Sequence, residues 1–150
     1  ADNSGNNTWA VVDLGSATAG LDMMYLWNVQ ENNALNRGTS NFDIYHATAP
    51  TTTAPAASGA VTPYDFGSGG WTQLSAGNEL AIGTQIGDAG QSFDISGASG
   101  AQYIGLHLTA NHGGFRTGLG EIAITTNGIP EPSSLGLLLL GGVLGLRRRR

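Results

Sequence analysis

The chain has 150 residues, of which 24 are glycine and none is cysteine. The length predicts one domain, and the lack of cysteine excludes disulfides, thiolate metal sites and cysteine nucleophiles. Residues 1–129 contain ten acidic side chains and only two basic ones, Arg37 and Arg116, which gives this part a formal net charge of −8. Such a surface would repel a phosphate backbone, so the composition argues against nucleic acid as a partner.

Glycine, Asn, Thr and Ser are frequent, which is typical of short strands joined by many turns. The first half of the chain contains three predicted strands, at residues 9–14, 21–28 and 41–46. In the first strand, alternation places Val12 and Leu14 on one face and Trp9 and Val11 on the other. Residues 47–70 are rich in Thr, Ala, Pro and Gly. An interdomain linker or a glycosylated stalk fits this composition, but strands resume beyond it, which favours a long surface loop within one domain.

The second half contains further predicted strands, at residues 71–75, 79–86, 91–95, 103–109 and around Ile122 and Ile124. The clearest alternation lies in 103–109, where Ile104, Leu106 and Leu108 are expected to point into the core. About eight short strands without a helix predict an all-β fold, an antiparallel β-sandwich.

The residue pattern does not indicate an enzyme. The three histidines lack the i, i+4 helical spacing of a zinc motif, and the sequence has no nucleophile elbow and no phosphate-binding loop. Asp13, Asp43 and Glu121 lie on predicted strands or in turns, where carboxylates are usually solvated or cap the local backbone. We therefore expect no catalytic residue.

Six blocks of sequence, taken in chain order, resemble the discoidin (coagulation factor 5/8 C-domain) family. They are residues 9–15, 26–28 with 36–38, 42–45, 102–106, 111–114 and 118–122. The resemblance implies a galactose-binding-like jelly roll over residues 1–128. Members of that family have further residues before the first Trp-containing strand, whereas this sequence begins at Ala1 without a Met or a signal peptide. We expect a fragment that lacks the first strand or strands of the sandwich.

The loop at residues 111–117 is the main candidate for ligand binding. Related carbohydrate-binding modules hold sugars on loops, where an aromatic ring stacks on a pyranose and polar side chains bond its hydroxyls. The resemblance thus implies Phe115 as the stacking residue, with Arg116, His112 and Asn111 as polar contacts and Arg37 as a further candidate. In the alternative, the Asn-His-Gly-Gly run only shapes the turn, Phe115 folds onto the sandwich edge, and Arg37 pairs with a nearby carboxylate.

Glu121 stands where many members of the family have a glutamate that helps to bind a structural calcium. Calcium takes six to eight oxygen ligands, and most of the others would come from the missing N-terminal residues. The resemblance therefore implies a calcium site that is incomplete in this chain.

The end of the chain combines three different pieces. Pro130, Glu131 and Pro132 break any helix or central strand. Residues 135–146 are seven leucines, four glycines and a valine, and they are followed by Arg147, Arg148, Arg149 and Arg150. Twelve helical residues extend only ~18 Å, against about 30 Å of membrane hydrocarbon. The arginines are expected to stay in the cytoplasm, which places the body of the protein outside the inner membrane.

This order of pieces resembles the PEP-CTERM sorting signal of Gram-negative bacteria, here over residues 129–150. In that family an exosortase cuts near the Pro-Glu-Pro and releases or transfers the body of the protein. The resemblance implies an exosortase as partner, an inner-membrane intermediate, and a final place at the cell surface or in the extracellular matrix. The alternative is an ordinary short tail anchor.

Together these patterns predict an exported, non-catalytic β-sandwich that binds extracellular polysaccharide or a cell-surface glycan. Two alternatives remain open. The sandwich is a structural matrix protein without a ligand site, or it is the accessory binding module of an enzyme whose catalytic part lies upstream.

Overall fold

The computed structural model describes residues 8–52, 64–84 and 87–127. They form seven strands: β1 (Thr8–Thr18), β2 (Leu21–Trp27), β3 (Thr39–Ala47), β4 (Thr72–Glu79), β5 (Gln91–Asp94), β6 (Ala101–Asn111) and β7 (Glu121–Thr126). The helical elements of this part are two 3₁₀ turns, Leu35–Arg37 and Ser96–Ala98. Among these residues there is no helix long and apolar enough to cross a membrane. The predicted C-terminal apolar helix lies outside the described residues.

The strands form two antiparallel sheets, which confirms the all-β prediction. One sheet has the order β1-β6-β3-β4 and the other the order β5-β2-β7. Between them lies an apolar core in which Ile104, Leu106 and Leu108 are buried as predicted. The rings of Phe42 in β3 and Phe93 in β5 meet edge to face across the core, with centroids 4.9 Å apart. The sheets therefore pack face to face as a sandwich.

Two strands extend beyond their predicted ends, β1 past residue 14 and β4 past residue 75. The strand predicted at residues 71–75 is confirmed as the first part of β4, which runs on to Glu79. The separate strand predicted at residues 79–86 is wrong, because residues 80–84 are irregular. Phe42 pairs with Asn78 and Ile44 with Ser75, so the register shifts between them. Gly77, at φ 64°, lies in this bulge, and its N–H donates to Asp43 Oδ1 over 2.8 Å. A second register shift lets β1 run on to Thr18.

The outer face of the four-stranded sheet carries a second apolar cluster. It consists of Ala47, Tyr64, Phe66 and Trp71, and the partly buried Trp9, Val11, Tyr45 and Tyr103 pack against it. The Phe66 ring stacks on Tyr45 with centroids 4.7 Å apart and meets Trp71 edge to face. The predicted long loop therefore connects two paired strands of one sheet, β3 and β4, and its described part after residue 63 covers that sheet.

Three connections lie at one end of the sandwich. They are residues 28–38 between β2 and β3, residues 80–90 between β4 and β5, of which 85–86 are not described, and residues 112–120 between β6 and β7. The pairings Thr39↔Asn111 and Trp27↔Glu121 place the corresponding strand ends side by side. We call this the loop end, and all candidate residues for binding and calcium lie there.

Candidate functional site

A buried side-chain amide holds two of the loop-end connections together. Asn28 follows β2 directly and is only 4% exposed. Its Nδ2 donates to the carbonyl oxygens of Thr39 and Ala81, each over 2.7 Å, and its Oδ1 accepts from the Val29 N–H. Because a buried amide without partners is costly, these bonds fix residues 28–29 and 81 relative to β3. Asn28 is not among the residues predicted from the sequence to have a role at this end.

Asn111 at the end of β6 organises the candidate binding loop. Its Nδ2 lies 3.0 Å from the carbonyl oxygens of Gly114 and Arg116 and 3.2 Å from Thr117 Oγ1. Its Oδ1 accepts from the Gly113 N–H over 2.9 Å. The side chain therefore bonds to the loop that follows it, as expected in the alternative in which the Asn-His-Gly-Gly run shapes the turn. We assign Asn111 to positioning the loop.

The loop is also bonded along its length to the segment that carries Arg37. The N–H of Gly114 donates to the Asn36 carbonyl over 2.9 Å, and the N–H of Gly118 donates to the Arg37 carbonyl over 3.0 Å. A Cβ on Gly114 would lie 2.7 Å from the Asn36 oxygen and 2.9 Å from Arg37 Cα, so this approach requires glycine. Arg37 and the candidate loop, far apart in the sequence, are therefore brought into contact.

Phe115 stands out on this surface, since it is 81% exposed. Among the described residues, the large hydrophobic side chains that are exposed are Phe115 and Ile82, and Ile82 is 46% exposed. Phe115 thus does not fold onto the sandwich edge, which removes that part of the alternative. Arg116 beside it is also exposed.

The two other polar candidates have partners within the protein. His112 Nε2 lies 2.9 Å from the Leu80 carbonyl oxygen, and since a carbonyl only accepts, Nε2 carries the proton in this contact. The Arg37 guanidinium lies 3.6 Å from Glu31 Oε2, and both side chains are substantially exposed. His112 links two loops, whereas the Arg37 pair is of the exposed kind that contributes little to stability.

Glu121 begins β7 and faces a different part of the loop end. Together with Trp27, Gln30 and Asp88 it lines an open cleft of about 370 Å³. Hydrogen bonds from the Thr84 side chain and N–H lower the pKa of Asp88, so this carboxyl holds its charge.

The described residues contain no group of three or more His, Cys, Asp or Glu that would hold a metal. Two carboxylates and one amide are far fewer than the ligands calcium takes, and the predicted calcium site stays a prediction.

Comparison with known proteins gives no relative for this chain. No protein-family model matches it, and neither does a curated protein or a solved structure. The discoidin and PEP-CTERM resemblances therefore stay predictions. The sorting residues Pro130, Glu131 and Pro132, and the four terminal arginines, lie outside the described residues.

Proposed function

We propose that this protein is an exported, non-catalytic β-sandwich that binds carbohydrate through the loop carrying Phe115. The proposal rests on the exposure of this ring, which is 81%. The loop around it is hydrogen-bonded on both sides of Phe115, at Gly114 and Gly118, to residues 36–37. An exposed aromatic ring is in contact with water in the free protein. When it stacks on the apolar face of a pyranose, apolar surface of both partners is removed from water, which favours binding. We further propose that the sandwich is a jelly roll of the discoidin type.

The surroundings of Phe115 suit a shallow sugar site. The hydrogen bonds from Asn111 and from the Gly114 and Gly118 amides hold the loop backbone, so little order has to be gained on binding. The exposed Arg116 and Arg37 offer planar donor groups to sugar oxygens. In this proposal Asn111 and His112 position the loop, while Phe115 and the two arginines touch the ligand.

A glycan array with the full chain tests the proposal. We expect Phe115→Ala to weaken binding at least tenfold while the free energy of unfolding changes by less than about 0.5 kcal/mol, because the ring is exposed. Ile82→Ala, on another loop of the same end, is the matched control and should retain binding. If no glycan binds, the structural-matrix alternative replaces this proposal. If Phe115→Ala loses stability without losing binding, Phe115 has a packing role and the proposed site is wrong.

We also propose that residues 129–150 are a PEP-CTERM signal processed by an exosortase, with delivery to the cell surface or matrix. The support is the sequence order of Pro-Glu-Pro, a short apolar run and four arginines. Intact mass and location of the protein in its host, with and without the exosortase, test this. Loss of the tail only when the enzyme is present is expected; an uncut protein in the inner membrane would indicate a plain tail anchor.

A further inference from the structure

The cationic side chains of the sandwich are concentrated at one place. Residues 1–129 contain no lysine, and Arg37 and Arg116 are their only arginines. In the sequence all of β3 to β6 separates these two residues, yet they lie in two segments that contact each other at the loop end. Gly114 and Gly118, which flank Phe115 and Arg116, donate their N–H groups to Asn36 and Arg37 respectively.

Neither arginine is buried in a structural ion pair. The Arg37 side chain is 44% exposed and its partner Glu31 is 67% exposed, with 3.6 Å between the nearest nitrogen and oxygen. Such exposed pairs contribute little to stability, so a ligand carboxylate can replace Glu31 at small cost. Arg116 is exposed on the neighbouring loop. The formal net charge of −8 repels a polyanion as a whole, but Arg37 and Arg116 are the only lysine or arginine side chains of residues 1–129, and they offer a ligand carboxylate a local attraction.

From this arrangement we infer that the ligand is an acidic polysaccharide whose sugars carry carboxylate groups. The guanidinium group has a planar fork of donors that matches a carboxylate, and charge-assisted bonds of this kind are stronger than bonds to hydroxyls. Phe115 lies between Gly114 and Gly118, whose N–H groups bond to the segment that carries Arg37. One chain of uronate residues can therefore place a pyranose on the ring and carboxylates on the arginines. The inference rests on the proposed carbohydrate-binding function and specifies its ligand class.

Polygalacturonate and its fully methyl-esterified form provide a matched pair of probes. They share one backbone and differ in whether the carboxylates are free. We expect the full chain in detergent to bind the free acid at least tenfold more tightly than the ester, and we expect added salt to reduce this difference. The double variant Arg37→Gln with Arg116→Gln should abolish the difference, and an unchanged thermal midpoint would show that it remains folded.

The four terminal arginines also attract polyanions, so a variant with Gln at positions 147–150 is the necessary control. It should retain the preference for the free acid. Equal binding of the two probes would overturn the acidic ligand and leave the carbohydrate-binding function standing. A preference that survives in the Arg37/Arg116 variant but disappears in the tail variant would overturn it as well. Absence of binding to both probes and to every neutral glycan would overturn the function itself.

Discussion

Two phenylalanines on loops of this protein differ in the exposure of their rings. Phe66 is 5% exposed and lies in the outer-face cluster, whereas Phe115 is 81% exposed at the loop end. Both follow or precede glycines in polar stretches, and nothing in their own residue type distinguishes them. The difference lies in the neighbours of each ring. The Phe66 ring is surrounded by the rings of Tyr45, Tyr64 and Trp71.

The two loops are also held in different ways. The segment at residues 64–71 is fixed by ring contacts on the sheet, and the ring of Phe66 lies against Gly105 of β6. The loop at residues 111–118 is fixed by hydrogen bonds to its backbone, and its aromatic ring takes no part. We therefore expect that the first aromatic ring matters for stability and the second for binding.

Replacement of Phe66 by alanine should cause the largest loss of stability. Removing a buried phenylalanine costs several kcal/mol in a core, and we expect about 3 kcal/mol here because the ring touches three other aromatic rings and Gly105 of the sheet. Urea unfolding measures this loss, and glycan binding by the folded protein should be unchanged. A loss below about 1 kcal/mol would contradict the structural role of the outer-face cluster.

Asn28→Ala should rank second. The variant leaves the carbonyl oxygens of Thr39 and Ala81 without their buried donor, which costs about 2 kcal/mol. Amide hydrogen exchange should also accelerate at residues 80–84, since the bond to Ala81 no longer holds them. Unchanged exchange there would show that this amide does not hold the connections of the loop end together.

Asn111→Ala should cost about 1 kcal/mol of stability, because the bonds it breaks are exposed or only partly buried. Its main effect should be on binding: the Phe115 loop becomes less ordered, and glycan affinity falls although Asn111 makes no contact with the ligand in our proposal. Faster amide exchange at Gly113 should accompany that fall. Loss of affinity with unchanged exchange would instead indicate that Asn111 contacts the sugar directly.

The smallest effect concerns acid stability of the segment that carries Phe66. Hydrogen bonds from the Ser68 side chain and the Gly67 N–H lower the pKa of Asp65 below its ordinary 3.8. A lowered folded-state pKa contributes stability above the unfolded value, and that contribution is lost as the pH falls through the folded value. The thermal midpoint of the protein should therefore fall more between pH 5 and 3 than that of Asp65→Asn. Parallel pH curves would contradict this.

Much of the framework could be predicted from alternation alone. Ile104, Leu106 and Leu108 are buried as expected, and Val12 and Trp9 lie on opposite faces of β1 as expected. Period-two patterns suffice for such strands because one face is buried in the core. The all-β class followed from the same patterns.

The errors arose where a partner strand decides the outcome. The Ser-Ala-Gly-Asn run at residues 75–78 has the composition of a turn, but in β4 it forms a bulge opposite Asp43. The burial of Tyr64 and Phe66 was not predicted either, since it depends on Tyr45 in β3 and Gly105 in β6. Local sequence does not contain that information.

The residues of the candidate site could be selected from the sequence, but their roles only in part. A phenylalanine beside glycines on a polar loop pointed to Phe115, and its exposure agrees with that reading. The contact between this loop and Arg37 depends on backbone bonds between distant segments. The hydrogen bonds of Asn111 to the loop depend on how the loop folds back on it, which the local sequence does not contain.

Mapping of backbone amide signals by NMR during titration with polygalacturonate fragments tests the central claim most directly. The account predicts shifts at residues 36–38 and 113–118, with the outer-face cluster unaffected, and it predicts that Phe115→Ala removes them. Shifts confined to the cleft around Trp27 and Glu121, or to the terminal arginines, would contradict the proposed site.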